Sequence, residues 1–256
     1  MSNLVVTTKI DLELNQFRNQ ATVLLLEDFA ESWGEIQNSN FDTIYLRSHF
    51  SEKSTMPNNF AKEFSIINET FTGKAYFVDN ISSLNSIEDF EDKYNQANLF
   101  KPFLPQTWRA DQAPDRDDLI YKKRLSSCAS GISFNRDGIT DLENWIAQHR
   151  INIQQELRVY VICGDIISTA SIKNSKTESQ KVKVVDTRSL CSTEFQFIKN
   201  IMDKMPEIDF AGIDIAVTPD GLKLIEINRS PAFSSFLSIT GLDLADELYS
   251  RLRNKH

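Results

Sequence analysis

Gly212-Ile-Asp-Ile-Ala-Val-Thr-Pro-Asp-Gly-Leu-Lys-Leu-Ile-Glu-Ile-Asn-Arg-Ser-Pro-Ala-Phe233 decides how this chain is read. Two apolar runs, Phe210 to Val217 and Leu222 to Ile227, flank Thr218-Pro-Asp-Gly221. An Asp-Gly step between two such runs predicts a hairpin. Side chains alternate faces along a strand, so Glu226 and Asn228 project to one side. Counted by even parity across the turn, with an unbroken ladder, Asp214 is expected on the same face. Three oxygen donors on one rigid face suit a hard divalent cation. Mg2+ binds through one or two carboxylates and fills its octahedron with water and nucleotide phosphates. The competing reading is the solvated outer face of an edge hairpin. The apolar flanks (Ile213, Ile215, Val217, Leu224, Ile225, Ile227) give the polar face a need for a reason.

Outward from the hairpin, Glu156 to Ile162 turns at Cys163-Gly-Asp165 into Ile166 to Ile172, a second hairpin signal. Ser192 to Met205 is expected as an amphipathic helix with Phe195, Ile198, Ile201 and Met202 on one side, and Leu242 to Arg253 as a closing helix. Leu142 to His149 is read as a short helix, Leu119 to Arg124 as a strand and Ser126 to Gly131 as a small-residue loop. Further upstream, Ala21 to Glu27, Phe41 to Arg47 and Lys74 to Asp79 are expected strands, the first of them buried. Ser86 to Asn98 is expected as a helix. Strands alternating with helices predict a small α/β unit over roughly residues 20–100. The segment Lys101-Pro-Phe-Leu-Pro-Gln-Thr-Trp108 marks a domain connection.

The 256 residues carry 28 basic and 36 acidic side chains, a net charge of −8. That balance argues against a nucleic-acid partner, which needs a basic face. No apolar run is long enough to span a bilayer, so no membrane partner is expected. The three cysteines, Cys128, Cys163 and Cys191, form no CxxC, and the three histidines lie far apart. Free thiols in a reducing cytoplasm are expected rather than a disulfide framework or zinc site. The N-terminal stretch has no secretory signal pattern.

The hairpin and the following Thr240-Gly-Leu-Asp-Leu-Ala-Asp-Glu-Leu248 resemble the C-terminal signature of the ATP-grasp superfamily, most closely the RimK-like carboxylate–amine ligases. The Asp214 to Glu226 spacing and the Glu-x-Asn step both match that pattern. The resemblance implies an α+β ATP-grasp fold, two subdomains gripping ATP, in residues 108–256, preceded by an α/β pre-ATP-grasp-like domain and linker in 1–107. It places Asp214, Glu226 and Asn228 as ligands of the Mg2+ (or Mn2+) that bridges ATP phosphates. The run around Gln155-Glu-Leu-Arg158 is similar to the family's strand pair, which implies that Arg158 and Lys173 face phosphate or acyl substrate. The strand before the small-residue loop resembles the family's V-x-x-K-P, so Lys122, with Lys123 as rival, would bind phosphate. Ser127, Ser130 and Gly131 would supply the backbone of the loop above it, and Gln155 and Ile225 would lie against the nucleotide. The adenine hinge has two competing candidates, Ala147 to Ile151 and Asn152 to Gln155. Arg124 lies near the usual proline position, and serines stand where glycines are commoner. Asp92-Lys93 and Pro105-Gln-Thr107 also match the linker pattern.

The implied activity is ATP-dependent amide formation between a carboxylate and an amine through an acyl phosphate, with a peptide or protein as the favoured substrate class. The alternatives are an ATP-grasp kinase and a non-catalytic nucleotide-binding scaffold. A homo-oligomer is compatible with this reading.

Overall fold

The computed structural model describes residues 2–8, 11–47, 60–126, 131–173 and 184–255. The predicted Ser126–Gly131 loop is therefore described only at its ends, and Ser127, Ser130 and Cys128 lie outside the described residues. Among the described residues the strands form three sheets.

The first sheet is parallel: β1 (Asn3–Thr7), β2 (Thr22–Leu25), β3 (Thr43–Arg47) and β4 (Tyr76–Phe77), in the order β2-β1-β3-β4. The central strands β1 and β3 are buried along their whole length. Leu4, Val6, Ile44 and Leu46 face one core, where Phe29, Ile36, Phe64, Ile67 and Phe71 pack. Val5 and Tyr45 face the other, beside Phe210, Phe233 and Tyr249. That is the period-two alternation of a sheet covered on both sides. The helices here are α1 (Leu14–Arg18), α2 (Phe29–Ile36) and α3 (Ala61–Phe71). Strand β1, outside the expected 20–100 unit, is the central strand that reading missed. The expected buried strand at Ala21–Glu27 is instead the partly exposed edge strand β2. The expected Lys74–Asp79 strand shrinks to two residues because Asp79 and Asn80 take positive φ, 64° and 52°, and bend the chain away.

The helix expected over Ser86–Asn98 is two helices, α4 (Leu84–Glu91) and α5 (Lys93–Leu99). Asp92 between them is extended, and its carboxylate accepts from the backbone N–H groups of Tyr94 and Asn95. A side chain able to cap the next helix offsets the cost of the break. The second sheet is antiparallel: β5 (Thr107–Arg109), β6 (Leu119–Lys123), β7 (Ile132–Ser133) and β8 (Trp145–His149), in the order β5-β8-β6-β7. Here the expected Leu142–His149 helix is overturned. A short 3-10 turn at Leu142–Asn144 leads into β8, whose Ile146, Ala147 and Gln148 are buried between two strand partners. Burial on both faces erases the alternation that marks a strand in sequence.

The third sheet contains β9 (Gln155–Ile162), β10 (Asp165–Ile166), β11 (Thr169–Lys173), β12 (Val184–Ser189), β13 (Phe210–Thr218) and β14 (Gly221–Asn228). Its order is β12-β11-β9-β13-β14, with β10 on β9. Leu157, Val159, Val161, Ala211, Ile213, Ile215, Leu224 and Ile227 point into one core with Ile198 and Ile201 of α6 (Ser192–Met202). Phe195, expected with them, is 42% exposed. The chain closes with α7 (Ser234–Thr240) and α8 (Leu244–Lys255). No helix among the described residues is long and apolar enough to cross a membrane.

Candidate active site

With the odd-numbered apolar residues of β9 and β13 in the core, the even-numbered ones face the other way, and the candidate site is built on that face. From the turn, Thr218 pairs with Gly221 and Ala216 with Lys223. Continued without interruption, this ladder would set Asp214 opposite Ile225 and turn Glu226 to the far side. The ladder does not continue. It shifts between Asp214 and Ile215, skipping Ile225, so that Asp214 pairs with Glu226 and Gly212 with Asn228. The expectation of an unbroken ladder is thus overturned. A β-bulge, with one extra residue on one strand, brings the three oxygen donors to one face. The Asn228 amide donates to Glu226 Oε1 at 3.3 Å.

Strand β9 runs on the other side of β13 and pairs Arg158 with Asp214. Arg158 grips Asp214 with two bonds, Nε to Oδ1 and Nη2 to Oδ2, each 2.7 Å. Lys173, from β11, donates to Asp214 Oδ2 at 2.7 Å and pairs with Glu156. Asp214 is fully buried. Burial alone would raise its pKa, but the charges and hydrogen bonds of Arg158 and Lys173 outweigh it and hold the carboxyl well below the usual range. Burial likewise opposes the charged form of Arg158, and the Asp214 carboxylate more than restores it, so that its pKa is raised. Gly212 provides the floor: a Cβ there would lie 2.7 Å from Pro231 Cβ and 3.4 Å from Arg158 Cδ.

A cleft opens between this face and the second sheet, lined by Lys122, Ile146, Gln148, Leu104, Ile225, Lys93 and Gln96. Lys122 donates to Gln148 Oε1 at 2.7 Å, and the Gln148 amide donates to Thr107 Oγ1 at 2.9 Å. Lys123 is not among the lining residues. Its side chain packs on Gly131, where a Cβ would lie 2.6 Å from Lys123 Cβ. Gly131 has φ +68°, and its carbonyl accepts the Lys123 N–H. Gln155 does not join the cleft either. As an odd position of β9 it points away from Glu156 and Arg158, and its carboxamide accepts from Arg188 at 2.9 and 3.1 Å.

The residues sequence reasoning missed are Lys93, Gln96 and Gln148. Lys93 donates to Ser126 O at 2.6 Å and lies 4.0 Å from Glu226 Oε2. It follows the capping Asp92, which holds Arg124 in an ion pair at 2.6 Å. The Asp92-Lys93 step was the signal that could have found it. Gln96 binds both the N–H and the C=O of Ile227, supporting the metal-motif strand from its open edge. Gln148 falls in the first of the two hinge candidates, Ala147–Ile151. Glu91, next to this site, is pushed up to about 7, chiefly by burial and in part by Glu226, against the opposing charges of Arg229 and Lys93.

Residues 86–252, well over half the chain, match the model of an ATP-grasp domain family, the third of its clade. The chain belongs to this ATP-grasp family. Other likenesses of this ATP-grasp chain are more remote. It is 25% identical over 105 residues to a tetrahydromethanopterin:alpha-L-glutamate ligase of Methanococcus maripaludis. That stretch spans 40% of this chain and only 36% of the relative. Among solved structures, the ATP-grasp ligase PsnB complexed with a minimal precursor superposes with a TM-score of 0.65 at 17% identity, covering 98% of this chain and 99% of that one. The macrocyclase MdnC bound with precursor peptide MdnA, from Microcystis aeruginosa, gives 0.66 at 14%, covering 99% and 100%. The D-cycloserine synthetase DcsG gives 0.68 at 14%, covering 98% and 100%. At these identities the likeness speaks to the fold. The ATP-grasp fold expected from the terminal hairpin is the one observed.

Proposed function

We propose that this ATP-grasp protein joins a carboxylate to an amine, driven by ATP hydrolysis, with a peptide or an amino acid among its substrates. One observation carries the reading: two fixed cations, Arg158 and Lys173, stand on the same face as the Glu226–Asn228 pair, across a cleft from Lys122. Phosphoryl transfer to a carboxylate asks a protein mainly for positioning and charge neutralisation, and this arrangement supplies both. The similar proteins agree in kind, since they are named as ligases, a synthetase and a macrocyclase, two of them with precursor peptides.

The residues present fit a hard divalent ion. The Glu226 side chain is 31% exposed, with the Asn228 amide beside it. Two oxygen donors and open space suit Mg2+ better than a metal that wants a full protein cage. Among the described residues no group of three or more His, Cys, Asp or Glu side chains could hold an ion, which agrees with a site completed by phosphates. Glu226 and Asn228 would hold Mg2+, or Mn2+ in its place, with Asp214 adjacent. Bound there, the ion would draw charge from the terminal phosphates.

The chain's own residues do the rest. Lys122 holds the α/β-phosphate region, with Ile225 and Leu104 packing against the nucleotide and Gln148 at the hinge. The loop around Ser127, Ser130 and Gly131 covers the phosphates. The substrate carboxylate attacks the γ-phosphorus as the bond to ADP breaks, giving an acyl phosphate. The amine then attacks the acyl carbon, inorganic phosphate leaves, and the amine proton passes to solvent or phosphate. Arg158 and Lys173 face the negative charge that develops in both steps. We further place a pre-ATP-grasp unit in 1–107, the nucleotide-binding unit in 108–256, and the protein in a reducing cytoplasm, which suits the free thiols of Cys163 and Cys191.

The test is ADP and phosphate release with candidate amines and carboxylates. Release that requires both substrates, and a hydroxamate when hydroxylamine replaces the amine, supports the ligase. Phosphate transfer to a hydroxyl without hydroxamate would make it a kinase. Pyrophosphate release sinks both readings.

A further inference from the structure

The family pattern counts Asp214 among the ion ligands, but its surroundings describe a different job. Both carboxylate oxygens are engaged: Oδ1 by Arg158 Nε, Oδ2 by Arg158 Nη2 and Lys173 Nζ. Asp214 and Glu156 carry two negative charges, Arg158 and Lys173 two positive ones, and the four close on themselves. All four are well buried, with side-chain exposures of 0, 6, 13 and 7% respectively. Giving Asp214 to an ion would strip both cations of their shared partner in a place where an unpaired charge is poorly tolerated. Glu226, directly across the ladder, has the opposite character: it is far more exposed, and its neighbour Asn228 is a neutral oxygen donor.

We propose that Asp214 is a positioning carboxylate for Arg158 and Lys173, and that the protein's ion ligands are Glu226 and Asn228. The assignment rests on the nucleotide-ligase reading. Its mechanical sense lies in the two-point grip. The fork holds the guanidinium plane at Nε and Nη2, leaving Nη1 with only a long 3.5 Å contact to Ala232 O. That donor is fixed in direction and able to meet an anionic group. Lys173, tied to Asp214 and Glu156, is likewise aimed rather than loose. Planar two-bond recognition is what an arginine offers and a lysine cannot. Gly212 keeps the path of the Arg158 stem clear, and Pro231 closes it from the other side.

The experiment uses the full chain with ADP and Mn2+ as a spectroscopic stand-in for the ion. Mn2+ affinity is read by electron paramagnetic resonance for the wild type, Asp214→Asn and Glu226→Gln. Glu226→Gln should weaken Mn2+ at least about tenfold. Asp214→Asn should stay within about threefold of wild type in Mn2+ affinity and in KM for ATP, while kcat falls about 100-fold. Loss of Mn2+ affinity in Asp214→Asn equal to that in Glu226→Gln overturns the assignment. Because Asp214→Asn leaves buried cations short of a partner and can unfold, the wild type supplies a second measurement. The anomalous signal of Mn2+ in crystals grown with ADP should lie at ligand distance from Glu226 and Asn228, with the Arg158–Asp214 fork intact. A peak at ligand distance from Asp214 overturns the assignment. Wild-type protein that shows no Mn2+-dependent ADP binding defeats the nucleotide reading itself, and the assignment with it.

Discussion

Alanine at position 212 would put its methyl group 2.7 Å from Pro231 Cβ and 3.4 Å from Arg158 Cδ. Neither neighbour can yield easily, since the proline is rigid and the arginine is pinned by Asp214. Gly212→Ala should therefore cost about 1–3 kcal/mol of stability in denaturant titrations and lower turnover more than tenfold. A variant with wild-type kinetics would show that Arg158 is not held as described. Glu91 offers a pH test on the ligand-free protein. Its folded-state value of about 7 lies above the ordinary carboxylate range, so between the two the native state holds a proton the unfolded chain has lost. Its contribution to stability must then fall as pH rises from the ordinary glutamate range through about 7. Glu91→Gln should flatten that slope and be more stable than wild type by about 2 kcal/mol at pH 8, but not at pH 4. Parallel melting-temperature curves for the two proteins would refute it. The residue types of the site were legible in sequence: Asp214, Glu226 and Asn228 stand out because charged and amide groups interrupt apolar strands. Their pairing state was not. Nothing in the string Gln155-Glu-Leu-Arg158 says that Arg158 commits two donors to a residue 56 positions away.

At the scale of elements, the β14 bulge decides which groups share a face. Ile225 looks in sequence like any other β-branched strand residue, so the phase shift it carries is invisible there. Deleting it has an unusual expected outcome. The shortened strand would run in unbroken register from the turn and still bring Glu226 opposite Asp214, while losing the side chain that lines the cleft. The deletion should fold, with a loss of about 1–2 kcal/mol, and raise KM for ATP about tenfold with a smaller effect on kcat. Failure of the kcat alone would place the role of the bulge in the chemistry instead. The same scale shows where pattern reading fails. Strand β8 reads as a helix because Ile146, Ala147 and Gln148 are all buried, and α4 and α5 merge because Asp92 looks like one polar residue on a helix surface. Hairpins with Asp-Gly or Cys-Gly tips were readable because their turns demand particular residues; Cys163 and Gly164 both take the positive φ such a turn needs.

At the scale of the molecule, the strand that bears Glu226 and Asn228 ends in a buried joint. Arg229 is fully buried, with Nε 3.0 Å from Asp79 Oδ2 and Nη1 2.6 Å from the Leu46 carbonyl. Tyr45 donates its hydroxyl to the Arg229 carbonyl. Asp79 in turn accepts from the N–H groups of Asp209 and Phe210, and Asp209 from the Asp79 N–H and the Tyr76 hydroxyl. Removing one side of such a pair leaves a charge buried without compensation, so Arg229→Met or Asp79→Asn should each cost about 3–5 kcal/mol, whereas a double variant that removes both should cost less. Equilibrium unfolding of the three variants checks the cycle. The linkage was not readable in advance because its members lie on separate elements, far apart in the chain. Its consequence reaches to how this architecture can be recombined. The family match begins at residue 86, yet Tyr45, Leu46 and Asp79 all lie before it. Transplanting the matched body onto a foreign N-terminal half would orphan a guanidinium one position from Asn228, so any working chimera must inherit both sides of the seam together.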